Sequence, residues 1–428
     1  MAARFSALLE FIGWVRASVL GALRFNQCTM SLPWFSFGRD EMARLHRLTL
    51  SLIWIMVPSK SARIALWCSA AVWPVRALVA AVVLVCRHGG AVAQSRGVTR
   101  RSQLRRMLWL ANRHNIAPHS FYEFRLWDDS HADTTLLYLQ DLELAVLQLW
   151  LNLHREPGPL DDKESLFEKA RADGLPTAPV VATFKAGTDR WHEGQAGVWP
   201  ACDLFAKWAN LYGGAGAENW SYDEDTVVWR LGREQLDGDG LVRRFRERSM
   251  TRKVVIQRRL HNHPDTARFS LGGLCTLRVV TYRPHGERAK VGFLCLRMPI
   301  GASIVDNLAA GGLAAAVDPD TGILGPAVGK ATMVGSVSHH PDTGVRIGGE
   351  KLASWRELVD LALRAHDSFL DPWSIGWDVA MTPSGPVLVE GNSLWGGDIV
   401  QMTQGPIGGT AVARALCAEV SRCQGAEA

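Results

Sequence analysis

The clearest alternation of apolar and turn-forming residues lies near the end of the chain, between Ile375 and Asn392. Two apolar runs, Trp377–Met381 and Val387–Glu390, are separated by the sequence Thr-Pro-Ser-Gly-Pro. Apolar runs of this length, flanked by turn residues, are typical of short strands. The stretch therefore predicts a β-hairpin, and we place the centre of its turn at Ser384.

This register would bring two acidic side chains together. Asp378 and Glu390 are equidistant from Ser384 and would face each other across the hairpin, where opposed Cβ atoms lie about 4.5–5.5 Å apart. Two carboxylates at that distance repel each other strongly unless a cation lies between them. Asn392 would share the face of Glu390 and add a neutral oxygen. Three oxygen ligands favour Mg²⁺, which commonly carries phosphates; an ordinary hairpin with solvated acids is the alternative.

The front of the chain predicts helices instead. Ile64–Cys86 is 23 residues of nearly continuous apolar sequence, which is long enough to cross a bilayer. Pro74 would kink such a helix, and Arg76 would lie near the bilayer centre. We therefore favour a buried or surface-lying helix over a membrane span for this segment.

Two further helices are predicted before residue 155. Val98–Asn115 carries five arginines interspersed with apolar residues, which gives an amphipathic helix one basic face. A solvated face is at least as good an interpretation of this pattern as contact with nucleic acid or lipid. With another helix at Leu136–Leu153, residues 1–155 form a mostly helical region in which we find no catalytic motif.

From Leu160 onward the pattern changes to strands and short helices. Asp161–Glu164 has the pattern of a helix start, and Gly174 ends that helix. A later helix, Ser354–Phe369, is predicted to be capped by its first residue together with Glu357 and leads into the hairpin. Strands are predicted at Val180–Phe184, Asp203–Lys207, Thr226–Arg230 and Lys253–Gln257.

A glycine-rich segment follows the second of these strands. The strand ends at Lys207, and Gly213, Gly214 and Gly216 come shortly after it. Glycine lets backbone N–H groups approach an anion closely, and the lysine ammonium would add a positive charge beside them. A plain turn is the commoner explanation for such a segment taken alone.

Two apolar strands near the middle of the chain each contain one arginine. Thr276–Tyr282 carries Arg278, and Phe293–Met298 carries Arg297. A charge inside an apolar strand is costly unless it is paired, so each arginine is a candidate ligand for an anion. A structural salt bridge is an equally good interpretation. The loop after the second strand adds the polar residue Asn307.

Composition and charge change the picture in two ways. The chain has 428 residues, 47% of them hydrophobic and 21% charged, which is globular and long enough for two or three domains. Its eight cysteines include no CxxC pair, which argues against structural zinc and favours a reducing compartment. Residues 1–110 carry a net charge of +12 within a chain of +5, so the remainder sums to −7. A basic front of this kind suggests an anionic partner such as a membrane surface.

Together these motifs resemble the ATP-grasp superfamily. More narrowly, the segments CTLRVVTYRP, VDNLAAGG, HPDTG, GWDVAMTPSGPVLVEGN and QGPIGGT are similar to the sugar-transfer-associated, α-L-glutamate-ligase-related ATP-grasp group. The resemblance covers residues 65–410 and is strongest over 255–405. It implies an α+β fold in which two lobes clasp a nucleotide. After the helical region 1–155, a lobe with a glycine-rich lid would occupy residues 156–260. A second lobe, which contains the metal-binding hairpin, would occupy residues 261–428.

The resemblance also implies a role for each matching residue. The nucleotide phosphates would be bound by Lys163 and Lys207, under a lid that contains Gly213, Gly214 and Gly216. The adenine pocket would be lined by Gln257, Arg258 and Leu260. Mg²⁺ would be held by Asp378, Glu390 and Asn392. The γ-phosphate, or an acyl-phosphate formed during the reaction, would be steadied by Arg278 and Arg297, and Asn307 would be a third catalytic residue.

The implied activity is that of an ATP- and Mg²⁺-dependent ligase, which activates a carboxylate as an acyl-phosphate and joins it to an amine during modification of cell-surface glycans or peptides. Two alternatives stay open. One is a kinase of the same fold that phosphorylates a small hydroxyl acceptor, and the other is a non-catalytic nucleotide-binding module associated with glycan assembly. The expected partners are a small carboxylate, an amine and an anionic membrane surface, with no nucleic acid. The expected location is the cytoplasm, either free or peripheral at the inner face of the membrane.

Overall fold

The protein is α+β, with helices at both ends of its described part and two antiparallel sheets between them. The computed structural model describes residues 41–56, 60–114, 116–128, 133–152, 158–210, 216–308, 311–329 and 335–426. The predicted lid residues Gly213 and Gly214 lie outside the described residues, as does the chain before residue 41.

The predicted helical front is confirmed over its described part. Its helices are α1 (Glu41–Met56), α2 (Lys60–Arg96), α3 (Arg100–Arg113), α4 (Pro118–Glu123) and α5 (Asp141–Asn152). The apolar segment Ile64–Cys86 is the central part of α2, which continues through Pro74. Thr99 caps α3 because its side chain accepts a hydrogen bond from the backbone N–H of Ser102.

The first sheet has seven strands in the order β2-β1-β7-β3-β4-β5-β6. Its strands are β1 (Val180–Lys185), β2 (Thr188–Trp191), β3 (Leu204–Trp208), β4 (Glu218–Asp223), β5 (Val228–Leu231), β6 (Glu234–Leu236) and β7 (Val254–Arg258). Two helices accompany it, α6 (Lys163–Ala172) and α7 (Gly238–Ser249). The four predicted strands are present, whereas β2, β4, β6 and α7 were not predicted. These strands are short and half-exposed, so they lack the apolar runs by which the others were recognised.

The second sheet has six strands in the order β11-β10-β9-β8-β12-β13. Its strands are β8 (Thr276–Tyr282), β9 (Lys290–Met298), β10 (Leu313–Val317), β11 (Leu324–Val328), β12 (Ser374–Thr382) and β13 (Gly385–Asn392). The remaining helices are α8 (Pro264–Ala267), α9 (Trp355–Ser368), α10 (Asp398–Gln404) and α11 (Ala411–Ala426). The predicted capping of α9 is wrong, because the Ser354 hydroxyl donates to Asp265 and makes no cap bond.

Both faces of the second sheet are covered, which explains why its strands read as continuous apolar runs. Val279 belongs to a hydrophobic cluster shared with α9. Its neighbour Val280 points the other way, into a cluster that includes residues of α1, α5 and α11. The helical front of the chain therefore packs on the sheet that carries the predicted hairpin, and the two share one hydrophobic core.

Candidate functional site

A cavity of about 720 Å³ lies between the two sheets. Eleven of the fourteen predicted site residues line it: Lys163, Lys207, Gln257, Arg258, Leu260, Arg278, Arg297, Asn307, Asp378, Glu390 and Asn392. Of the remaining three, two are the glycines outside the described residues, and Gly216 is adjacent to the lining residue Ala217. Residues separated by more than two hundred positions in sequence thus converge on one site.

The hairpin pairs Asp378 with Glu390, as predicted, but by a different turn. The turn contains only Pro383 and Ser384, so that Thr382 pairs with Gly385. A turn centred between Pro383 and Ser384 would by itself move each residue's cross-strand partner by one position from the predicted one. An irregularity in the register next to Asp378 restores the predicted partner across the strands.

Two arginines hold the carboxylate of Asp378, which is 5% exposed. Arg278 donates from Nε at 2.6 Å and from Nη2 at 3.1 Å, and Arg297 donates from Nη1 at 2.8 Å. Burial alone would raise the pKa of Asp378, but the charges and hydrogen bonds of the two arginines outweigh it and lower this pKa to about 2. The carboxylate is therefore ionised throughout the physiological range.

Arg297 continues this network to a second buried acid. Its Nη2 lies 2.8 Å from Oδ1 of Asp306, whose other oxygen accepts a hydrogen bond from Thr276. Burial raises the pKa of Asp306, and the Arg297 charge opposes that shift. Asp306 was not among the predicted site residues. The signal that could have found it is an acid immediately before Asn307, in a loop that follows an arginine-bearing strand.

Two lysines, Lys163 and Lys207, also line the cavity. Lys163 begins α6 and lies 3.1 Å from Oε1 of Glu390. Its position is fixed by the start of the helix, where Asp162 accepts hydrogen bonds from two backbone N–H groups. Lys253, directly before β7, lies 2.8 Å from the same Asp162 carboxylate and anchors that helix start to the first sheet.

Lys207, at the end of β3, is buried in the cavity wall and is 8% exposed. Among the described residues, no carboxylate lies within ion-pair distance of its ammonium group. Burial lowers the pKa of Lys207 to about 8, and the more distant negative charge of Glu390 opposes the shift. A buried cation without an ion-pair partner is costly, so this side chain has an unsatisfied attraction for an anion.

The oxygen atoms around the hairpin suit a divalent cation. Glu390 uses one carboxylate oxygen to pair with Lys163, which leaves the other available. Asn392 is buried beside it, and its side chain makes no hydrogen bond with any described residue. Asp378 is already held by two arginines and would contribute only remaining lone pairs. Hard oxygen donors of this kind fit Mg²⁺, with Glu390 and Asn392 the best placed.

Gln257, Arg258 and Leu260 line the end of the cavity next to β7. The Gln257 amide donates to the carbonyl of Ala178 at 3.2 Å, and the Arg258 guanidinium pairs with Glu193. Both side chains are thus engaged in structural contacts, which leaves the backbone and Leu260 for contact with a planar ligand. The aromatic lining residue Phe205 on β3 was missed because aromatic residues in strands are common in any core.

Gly216 is required at its position for steric reasons. Its φ is +69°, and a Cβ atom there would lie 2.2 Å from Nε1 of Trp208. The guanidinium of Arg248 stacks on the same tryptophan ring at 4.4 Å and donates to the Gly216 carbonyl. The end of the glycine-rich segment is therefore packed tightly against β3, directly after Lys207.

Comparison with known proteins identifies a family for part of the chain. Residues 245–412 match the family described as sugar-transfer associated ATP-grasp, which confirms the resemblance drawn from the sequence motifs. The two sheets and the helical front correspond to the predicted fold class. No curated protein matches the chain.

Several solved structures share a distant likeness to the chain. D-alanyl-alanine synthetase A from Vibrio cholerae has a TM-score of 0.34 and 11% identity, over 61% of this chain and 65% of that one. D-alanine–D-alanine ligase from Bacillus anthracis, complexed with ATP, has a TM-score of 0.34 and 12% identity, over 63% and 68%. N5-carboxyaminoimidazole synthase from Aspergillus clavatus, in complex with ADP, has a TM-score of 0.30 and 11% identity, over 55% and 44%. The chain thus spans less than two thirds of the Vibrio synthetase.

Proposed function

We propose that the protein is an ATP- and Mg²⁺-dependent ligase that joins a carboxylate to an amine, because residues 245–412 match the sugar-transfer associated ATP-grasp family. The setting we propose is the modification of cell-surface glycans or peptides, a proposal that rests on the description of the family alone.

The observation that carries the proposal is Lys207. Its ammonium is buried, its pKa is lowered to about 8, and no described carboxylate pairs with it. Such a group is stabilised by an anion that enters the cavity, and a nucleotide phosphate has the required charge. Lys163 lies on the same wall, so the two ammonium groups would neutralise adjacent phosphates.

The reaction would proceed in two balanced steps. A carboxylate oxygen of the acid attacks the γ-phosphorus of ATP, and ADP leaves with the electrons of the broken P–O bond. The amine nitrogen then attacks the acyl carbon, phosphate leaves, and the amine loses a proton. When bound, Mg²⁺ would neutralise phosphate charge. The lysines and arginines would hold the phosphoryl group in line and stabilise the charge that develops on it.

We place the acid and the amine in the part of the cavity that is lined by Ser303 and Asn307, from the loop after β9, and by Trp395 and Asp398, before and at the start of α10. Polar and aromatic side chains together suit small substrates with both charged and apolar parts.

Two alternatives remain as outcomes of the test. A kinase would use the same lysines but transfer the phosphoryl group to a hydroxyl. A non-catalytic module would bind ATP without turnover. The buried cluster of Arg278, Arg297 and Asp378 supports the ligase proposal, because guanidinium groups held in fixed positions would stabilise the charge that develops on a transferred phosphoryl group.

The test is an ADP-release assay on the purified full chain. Pooled carboxylic acids and pooled amines are supplied separately and together, with Mg²⁺ or with chelator, and hydroxylamine is added to trap any acyl-phosphate as a hydroxamate. Ligase activity requires both pools for full turnover and yields hydroxamate with the acid alone. A phosphorylated product from a single hydroxyl acceptor would establish the kinase instead. ATP binding with no turnover in any pool would support the module.

A further inference from the structure

The outward face of α2 is apolar and uncovered. Six large side chains form what we call the α2 stripe: Val72, Val75, Leu78, Val79, Val82 and Val83, each between 39% and 65% exposed. They recur at helical spacing over about 17 Å, since the rise is about 1.5 Å per residue. Contiguous apolar surface of this kind marks an interaction site more often than a chance feature.

The inward face of α2 is fully engaged. Trp73 and Ala77 are buried in a cluster with Ala111 of α3, and the Trp73 indole donates to the carbonyl of Ala111 at 2.9 Å. Further along, the Gln103 amide donates to the carbonyl of Gly89 at 3.1 Å. Helix α3 therefore runs beside α2 from residue 89 back to residue 73.

The charge of this region favours an anionic partner for the stripe. Between Glu41 and Glu123 the chain has twelve arginines or lysines and no acidic residue. A second copy of the chain would bring the same positive charge to the stripe and be repelled. Residues 1–40 carry four arginines against two acids, so their net positive charge disfavours them as the cover of the stripe for the same reason. An anionic lipid surface matches both the apolar stripe and the surrounding basic charge.

We propose that the α2 stripe docks on an anionic membrane surface, with α2 lying in the plane of the interface. Among the described residues, Ala70–Arg96 is the one helical segment long and apolar enough to cross a bilayer. Crossing is opposed by α3, which packs along the same segment and carries Arg105 and Arg106 between its two contacts with α2. A span would carry those arginines into the hydrocarbon core. This inference does not depend on the proposed ligase activity.

The test is co-sedimentation of the full chain with vesicles of phosphatidylcholine alone and of equal parts phosphatidylcholine and phosphatidylglycerol. We expect capture by the anionic vesicles only. High salt should release the protein, because attraction between exposed charges is already screened beyond about 10 Å at moderate ionic strength and is screened over shorter distances at high salt. The double variant Val75→Glu, Val79→Glu should bind about tenfold more weakly or worse. The matched control is Leu370→Glu, which alters an equally exposed apolar residue on a different part of the surface and should bind as the parent does.

Thiol modification of Cys86 reports the occupant of the stripe, because this cysteine is exposed near its end. Cys86 should react freely without lipid and be protected by anionic vesicles. Protection without lipid would show that the chain itself or a second copy covers the stripe, and would overturn the proposal. Absence of capture by anionic vesicles would overturn it as well. Protein that stays in membranes through carbonate extraction would show a span rather than surface docking. Circular dichroism of both glutamate variants checks that they remain folded.

Discussion

Replacing Lys207 by methionine should stabilise the unliganded protein while weakening its binding of ATP. Methionine has a similar length and volume and carries no charge, so it fills the same space beside β3 without desolvating an ammonium group. The two effects have opposite signs because the same buried charge that disfavours folding attracts the nucleotide.

The magnitude follows from the pKa of Lys207, which is lowered from 10.5 to about 8 by burial. Each pKa unit corresponds to about 1.4 kcal/mol, so the charged side chain costs the folded state roughly 3 kcal/mol. Methionine should recover much of this at pH 7. Loss of a hydrogen bond to a charged group should weaken ATP binding by about 1.5–3 kcal/mol, or roughly 10- to 150-fold.

The stability difference should depend on pH in a defined window. Between pH 8 and pH 10.5 the unfolded chain holds a proton on Lys207 that the folded chain has released. Unfolding there takes up a proton, so the stability of the parent protein rises with pH. The advantage of the Lys207→Met variant should therefore be complete below pH 8 and fade as the pH approaches 10.5.

Urea unfolding at pH 7 and pH 10 measures the stability difference, and calorimetric titration with ATP measures affinity. Near pH 8.5, buffers of different ionisation heat should also reveal proton uptake on ATP binding by the parent protein and none by the variant. Lys185→Met, at an exposed lysine on β1, is the matched control and should change neither quantity. A Lys207→Met variant that is less stable than the parent at pH 7, or binds ATP equally well, would refute the reasoning.

Three further expectations concern the metal, the buried arginine and a buried histidine. Glu390→Gln should remove most of the Mg²⁺-dependent part of the thermal stabilisation by ATP, and an unchanged response to chelator would exclude Glu390 as a ligand. Arg297→Met should destabilise the fold by about 3–5 kcal/mol in urea, because it leaves the buried Asp306 without its ion-pair partner and removes one of the two guanidinium groups that hold Asp378; a loss below 1 kcal/mol would contradict this. Burial lowers the pKa of His366 to about 4, so stability should fall as the pH drops from 6.5 to 4, and His366→Gln should flatten that part of a urea-based stability profile.

The hairpin shows how much of the site could be predicted from sequence. Apolar runs identified both strands, and symmetry about the turn paired Asp378 with Glu390. The turn itself was placed half a residue too far along, and the irregularity that restores the pairing left no sequence signal. Backbone irregularities of this kind depend on tertiary packing, which no local pattern encodes.

The partners of the charged residues were harder to predict. An arginine in an apolar strand signals that a counter-charge exists, but not which one. Asp378 lies 100 positions after Arg278 and 81 positions after Arg297. Both arginines reach it because β8 pairs with β12 on one side and with β9 on the other. The structure therefore contains salt bridges of Arg278 and Arg297 to Asp378, and contact of these arginines with a phosphate remains a proposal. Strand order decides such contacts, and strand order was not visible in the sequence.

The balance of charge at the hairpin end of the cavity links the metal to Lys207. Lys163, Lys207, Arg278 and Arg297 face Asp306, Asp378 and Glu390, a formal excess of one positive charge. ATP alone would give the occupied site a large negative charge, whereas ATP with a divalent cation would bring the total charge close to zero. The three carboxylates thus leave the site with too little positive charge to balance free ATP. A site with four cations and no acids would have held ATP without metal, so the metal dependence we propose follows from acids that also position the arginines.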